Sequence, residues 1–382
     1  MKFEEMKIDP KLLLAIKEMK FETPTEIQEK SLPYVLEGRD VIGQAMTGSG
    51  KTLAFAVPII QKIEHAKGVE ALILAPTREL ANQISKEFIK FSKHKKVKIA
   101  EVFGGVSIEP QIHALRDAEI VVGTPGRIMD HMQRGTISFK NLKILVLDEA
   151  DRMLDMGFID DIKRIIGSLP KRRQTLLFSA TMPDEIMGIA HRYMNNPVKI
   201  ATQRQVAKHL LKQFYYDVKS EHKISMLAHL LETEKPDLAI VFCSTRDVTD
   251  VVANNLQDMG VEAKAIHGGH EQAKRTRVLE SFHEGKIHVL VATDVAARGL
   301  DIKNVSHVFN FDSPKNAEEY THRIGRTARI GAEGKAITLL SKQDHEAFRK
   351  IAGRFDIEKA VAKDFIPKAI SLRGERHNRP HF

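Results

Sequence analysis

"DVIGQAMTGSGKTLAFAVPII", residues 40–60, joins a short apolar run, a glycine-bearing turn and a second apolar run of helical character. Its middle, Ala45 to Thr52, approaches the phosphate-binding pattern G-x-x-x-x-G-K-[ST], with Ala45 in the first glycine position and an additional Gly48 inside the loop. Gly48 and Gly50 stand where such a loop needs positive φ or close approach to phosphate oxygens. The loop amides, with the helix beginning near Thr52, suit a chain of phosphates. In that reading Lys51 reaches the β- and γ-phosphates and the Thr52 hydroxyl ligates Mg²⁺. A glycine-rich turn capping a helix would carry the same letters; the strand before and the helix after favour the nucleotide site.

Comparable runs recur along the chain: "ALILAPT", "EIVVGTP", "KILVLDEAD" and "QTLLFSAT" each end in small, polar or charged residues. Amphipathic stretches such as "RELANQISKEFIKFSK" lie between them. This alternation predicts an α/β chain with mainly parallel sheets flanked by helices. Ligands of such sheets bind beyond the C-terminal strand ends, where Thr77, Thr124, Asp148 and Thr181 fall. The pattern falters around 201–218 and then resumes with "LAIVFCST", "EAKAIHGG", "HVLVATD", "HVFNFD" and "KAITLLS". We therefore expect two similar domains, 1–202 and 212–366, a flexible linker at 203–211 and a short basic tail at 367–382 that frays into solvent. "GAEGKA" (331–336) lacks the spacing and hydroxyl of a second phosphate loop, so one nucleotide site is expected.

The chain has 382 residues and a formal charge of +9, which suits a polyanionic partner, although a Lys-rich solvated surface would account for it as well. Cys243 is the single cysteine, which excludes an internal disulfide and a zinc–thiolate site. No signal peptide or membrane-spanning run is recognisable, so a cytoplasmic protein is expected, and no appended module is expected. "HGGH" (267–270) offers two histidines, but no Cys, Asp or Glu cluster of metal-site spacing surrounds it, and zinc is not expected there. Pro58 should do no more than kink the helix after the loop.

A Mg²⁺-nucleotide site also needs a carboxylate at a neighbouring strand end. "ILVLDEAD" delivers Asp148 there, with Glu149 beside it to orient and deprotonate a water. An exposed acidic turn could look similar alone; with the loop the two make complementary halves of one site.

With these motifs in order the chain resembles the DEAD-box RNA helicases of superfamily 2. The matching stretches are "FETPTEIQ" (21–28), "PTRELANQ" (76–83), "GG" (104–105), "TPGR" (124–127), "DEAD" (148–151), "SAT" (179–181), "VFCSTR" (241–246), "QAKR" (272–275), "ATDVAARGLD" (292–301) and "HRIGRTAR" (322–329). The resemblance implies two tandem RecA-like domains and an ATP site built from Phe21, Thr23, Gln28, Thr47, Gly48, Ser49, Gly50, Lys51 and Thr52. Phe21 would stack on adenine while the Gln28 amide reads its edge. Ser179 and Thr181 would link ATP to strand separation through hydrogen bonds to Asp151 and its surroundings. In the second domain Asp294 would contact the ribose and Gly299 would lie near the γ-phosphate. Arg326 and Arg329 would neutralise transition-state charge across the cleft; a solvated basic helix is the plainer reading of that stretch. RNA would be held through phosphate and 2′-hydroxyl groups, without regard to sequence. Its contacts would be Pro76, Thr77, Arg78, Gly105, Thr124, Gly126 and Arg127 in the first domain and Thr245, Gly268, Gln272, Arg275 and Thr293 in the second.

Two positions at the start of the chain complete the comparison. Lys20 stands where the family usually has Gly before Phe21, and Phe3 supplies its isolated upstream aromatic. The implied function is an ATP-dependent RNA helicase using ATP and Mg²⁺, monomeric, with protein cofactors among its partners. The alternatives are an ATP-gated RNA clamp or assembly scaffold, and a DNA translocase of the same superfamily.

Overall fold

The computed structural model describes residues 2–46, 48–65, 68–202, 210–297, 305–328 and 333–370. Two compact units, Met1–Arg204 and Gln205–Phe382, each surround one sheet. In the first, the strands are β1 (Val41–Gln44), β2 (Ala71–Leu74), β3 (Ile99–Val102), β4 (Ile120–Gly123), β5 (Ile144–Asp148), β6 (Gln174–Ser179) and β7 (Val198–Ala201). Their order is β3-β4-β2-β5-β6-β1-β7, and every pairing is parallel. Successive residues of a strand face opposite ways, and both faces are covered. On β2, Ala71 and Ile73 join one apolar cluster while Leu72 and Leu74 join the other; on β5, Ile144 and Val146 divide from Leu145 and Leu147 in the same way.

The second unit repeats the plan with β8 (Leu211–Asp217), β9 (Ala239–Cys243), β10 (Ala263–Ile266), β11 (Val289–Thr293), β12 (His307–Asn310), β13 (Gly334–Leu340) and β14 (Glu358–Ala360). The order is β10-β11-β9-β12-β13-β8-β14, again parallel throughout. Alternate residues of β9 again part between two clusters, Ala239 and Val241 on one face, Ile240 and Phe242 on the other.

Several local expectations change. β8 opens at Leu211, one residue inside the expected linker, whose residues 203–209 lie outside the described ones. The tail does not fray at Ile366: the Lys368 amide donates to Ser225 Oγ, the Ile370 amide to the Glu221 carbonyl, and Phe365 and Ile370 pack on the second unit's core. Residues 371–382 lie outside the described ones. The helix Lys51–Lys62 runs through Pro58 without interruption. Lys20 adopts φ 60°, the left-handed region that costs a side-chain-bearing residue about 1–2 kcal/mol, which is the physical reason a glycine suits that position. Phe3 is buried in the first unit's core with Leu12 and Ile16. Among the described residues no helix is long and apolar enough to cross a membrane.

Candidate nucleotide and RNA sites

Because all strands of the first sheet are parallel, their C-terminal ends share one edge. β6 lies between β1, which feeds the glycine loop, and β5, which ends at Asp148. β5 in turn borders β2, with β4 and β3 beyond. Nucleotide-type residues thus gather at one end of the edge and Thr77, Thr124 and Gly105 at the other.

In the loop, Gly48 and Gly50 have φ 80° and 88°, and Gly50 caps the helix that starts at Lys51. Gly50 is required twice over. A Cβ there would lie 2.4 Å from Gln28 Nε2, because the Gln28 amide donates to the Gly50 carbonyl at 2.9 Å. Gln28 Oε1 also accepts from the Thr25 amide, and Thr25 Oγ1 donates to the Ser49 carbonyl at 2.7 Å. The helix Glu26–Leu36 is therefore capped and bolted to the loop by the same two side chains. Thr25 had no assigned role in the sequence; Thr23 and Phe21 are exposed, with the Phe21 ring 6.5 Å from that of Phe91. Ser49 Oγ donates to the Met46 carbonyl, Thr52 lies in the helix's first turn, and Thr47 lies outside the described residues.

Lys51 is buried and donates to the Ala45 carbonyl at 3.0 Å. Asp148 is buried nearby. Burial raises its pKa to about 7, against the pull of Lys51 and with a further push from Glu149. A buried carboxylate with too little positive charge around it fits a divalent cation, and Asp148 with Thr52 would hold Mg²⁺. Asp148→Asn removes the desolvated charge. In Mg²⁺- and nucleotide-free buffer this variant should melt above the parent, by about 1–2 kcal/mol of stability, while losing ATP hydrolysis. Calorimetry with EDTA checks the first half, and an unchanged or lower melting temperature contradicts it.

Glu149 has φ 50° and ψ 53°, left-handed and costly for a side-chain-bearing residue, and it caps the helix Ala150–Asp155. Its amide donates to Asp148 Oδ1, and its Oε2 accepts from Arg152 Nη1 at 3.1 Å. Asp151 faces β6: its amide donates to Ser179 Oγ, and its Oδ2 accepts from the Thr181 amide and hydroxyl at 2.8 and 2.9 Å.

Farther along the edge, Thr77 Oγ accepts from the Leu80 amide and opens the helix Arg78–Phe91, with the Arg78 guanidinium 5.0 Å from the Phe103 ring centre. Thr124 begins the helix Pro125–Gln133, Gly126 has open space around it, and Arg127 donates to the Val106 carbonyl. Two helix N-termini beside Arg78 and Arg127 form a surface suited to phosphates. Pro76 lies just before Thr77, and Gly105 follows β3.

In the second unit Thr245 caps the helix Arg246–Asp258, Gly268 follows β10, Thr293 ends β11, and Gln272 and Arg275 lie on the helix Gln272–His283. The carboxylate missing around "HGGH" in the sequence arrives from the Arg246–Asp258 helix. Asp250 Oδ2 bonds His267 Nε2 at 2.9 Å, and the ligand-capable atoms of Asp250, His267 and His270 lie within 4.8 Å of one another. His267 Nδ1 accepts the Gly269 amide and His270 Nε2 meets Lys274 Nζ at 3.0 Å, so these nitrogens are engaged in hydrogen bonds that tie down the loop carrying Gly268.

Asp294 opens the helix Asp294–Ala297, and both its oxygens are taken by Arg323, at 2.8 and 2.7 Å. Arg323 is buried and is the residue that the sequence most concealed. Its Nη groups also reach Glu319, Asn310 and the Asp312 carbonyl. Arg326 is buried, Ala328 has φ 53°, and Gly299 and Arg329 lie outside the described residues.

Residues 25–189 match the family model of the DEAD/DEAH box helicases, and residues 222–331 match the helicase conserved C-terminal domain. The ATP-dependent RNA helicase CshA of Listeria monocytogenes is 51% identical over 90% of this chain and 66% of its own length; CshA of Geobacillus kaustophilus is 48% identical over 90% and 74%. The chain belongs to the DEAD-box family of ATP-dependent RNA helicases. This DEAD-box chain spans about two thirds of the Listeria relative. Among solved structures, S. cerevisiae Dbp5 bound to RNA and ADP BeF3 is 33% identical with TM-score 0.85, covering 94% of this chain and 95% of Dbp5. A DEAD box protein from Methanococcus jannaschii is 42% identical with TM-score 0.57, covering 94% and 99%. The two parallel seven-stranded sheets are tandem RecA-like domains.

Proposed function

We propose that the chain couples hydrolysis of Mg²⁺-ATP to local separation of short RNA duplexes or remodelling of RNA–protein complexes. The observation that carries this reading is the bond set Asp151–Ser179–Thr181, which laces the end of β5 to the end of β6 between the nucleotide loop and the Thr77–Thr124 surface. Any change at Asp148 or Glu149 is two or three residues from those bonds.

In this reading Lys51, Thr52 and Asp148 hold the phosphates and the metal ion, which supplies charge neutralisation at the phosphoryl group. Glu149 takes the proton of the attacking water. Phe21, Thr23, Gln28 and Thr47 to Gly50 hold the rest of the nucleotide in the first domain. Asp294 and Gly299 take the ribose and γ-phosphate positions in the second, and Arg326 and Arg329 neutralise developing charge. The two domains divide these roles, the second beginning at Leu211 and reaching at least Ile370. RNA is held by the threonines, glycines and arginines named for it, through sugar and phosphate. Monomeric action in the cytoplasm, with protein cofactors choosing the RNA, completes the proposal, and the bacterial relatives support that placement.

Steady-state phosphate release with RNA, with DNA of the same sequence, or with neither tests it. Stimulation by RNA alone, by about tenfold or more in rate, is expected, since closing an active site on one ligand raises turnover of the other. Equal stimulation by both polymers would overturn the RNA-specific reading, and stimulation by DNA alone would favour a DNA translocase. RNA binding gated by ATP with negligible strand separation would favour the clamp.

A further inference from the structure

We propose that Arg152 is a positioning residue for hydrolysis, holding the Glu149 carboxylate by one oxygen so that the other is presented to the attacking water. The inference rests on Glu149 being the group that activates water. Arg152 lies just past the "DEAD" tetrapeptide, in a chain position to which the motif assigns nothing.

Three observations support the role. Both side chains are nearly withdrawn from solvent, at 5% and 8% exposure, so their 3.1 Å bond is not diluted by water as a surface pair would be. The bond takes Oε2 alone; among the described residues Oε1 carries none. A carboxylate has lone pairs enough to accept an Arg N–H on one oxygen and a proton on the other.

The third observation is the backbone. Glu149 sits in the left-handed region, and its amide donates to Asp148 Oδ1. Its main chain is pinned while its side chain retains several rotatable bonds. Arg152, one turn on in the helix Ala150–Asp155, is the contact that removes that freedom. Preorganising a general base in this way lowers the entropy lost on reaching the transition state. It adds nothing to the binding of ATP itself, so its loss should act on kcat.

The test is a double-mutant cycle in the full chain, with RNA present. Arg152→Met keeps the volume and removes the bond; kcat for ATP should fall about 10- to 100-fold, the usual cost of losing such a supporting contact, with KM for ATP changed by less than about twofold. Arg152→Lys, which keeps one charged donor, should recover part of the rate. Glu149→Gln,Arg152→Met should turn over no more slowly than Glu149→Gln alone if the effect of Arg152 on the rate runs through Glu149. Should Arg152→Met fail to fold by circular dichroism, the cycle is run with Arg152→Gln. A wild-type kcat in Arg152→Met, losses that multiply in the double variant, or a raised RNA-free rate would each overturn the proposal; the last would make Arg152 a restraint on Glu149. Normal turnover by Glu149→Gln would instead overturn the role of Glu149 and is read separately.

Discussion

Glu149→Gln should lower RNA-stimulated ATP turnover by about 10²- to 10⁴-fold, the range a general base supplies, while ATP and RNA affinities stay near those of the parent. The substitution is nearly isosteric. Gln has the same φ and ψ preferences as Glu, so the left-handed turn at φ 50° is no harder to form. Its amide oxygen can still accept from Arg152 Nη1, and the bond to Asp148 Oδ1 comes from the Glu149 main-chain amide, which the substitution leaves in place. Lys51, the loop glycines and Gln28 are untouched. What disappears is the basic oxygen that, in the proposed role, takes the proton of the attacking water. The variant should therefore accumulate with ATP and RNA bound, visible as RNA retained on a filter with ATP but released by the parent as hydrolysis proceeds. Single-turnover phosphate release measures the chemical step directly. Normal turnover would move the water-activating role to another residue.

Much of this site is legible in the sequence because its determinants are local. Gly48, Gly50, Lys51 and Thr52 act within one turn of chain, and Asp148 is carried to its place by four apolar residues. Central strands β2, β4 and β5 are buried along their whole length, so they read as unbroken apolar runs. The strands missed from sequence are the outer ones. β3 (IAEV), β7 (VKIA) and β14 (EKA) each lie at or beside a sheet edge and expose alternate or most residues, so their letters resemble those of loops. Contacts that need two distant segments were likewise hidden. Nothing near Gly50 announces that its carbonyl serves Gln28, 22 residues earlier, or that Asp250 serves His267, 17 residues later.

Arg323 is the largest such case, and its replacement should have the largest effect on stability. The guanidinium offers five N–H groups, and the structure uses five: Nε and one Nη2 proton on Asp294, the other Nη2 proton on Glu319, and the two Nη1 protons on Asn310 and the Asp312 carbonyl. Its flat face lies 5.2 Å from the Phe242 ring centre. Arg323→Met leaves Asp294 and Glu319 together in a dry site. Burial already pushes the Glu319 pKa up, and the Asp294 charge pushes it further, with Arg323 opposing. Removing one partner of such a buried cluster costs about 3–5 kcal/mol. Arg323→Lys should restore little of it, since an ammonium cannot span Asp294, Glu319 and Asn310 at once. The distinguishing measurement is the triple variant Asp294→Asn,Glu319→Gln,Arg323→Met, which has no charge left to strand. It should regain more than half of the stability lost by Arg323→Met in urea unfolding, yet remain impaired as an ATPase, since Asp294 is proposed to hold the ribose. If the triple variant is no more stable than the single one, the loss comes from packing against Phe242 rather than from unpaired charge.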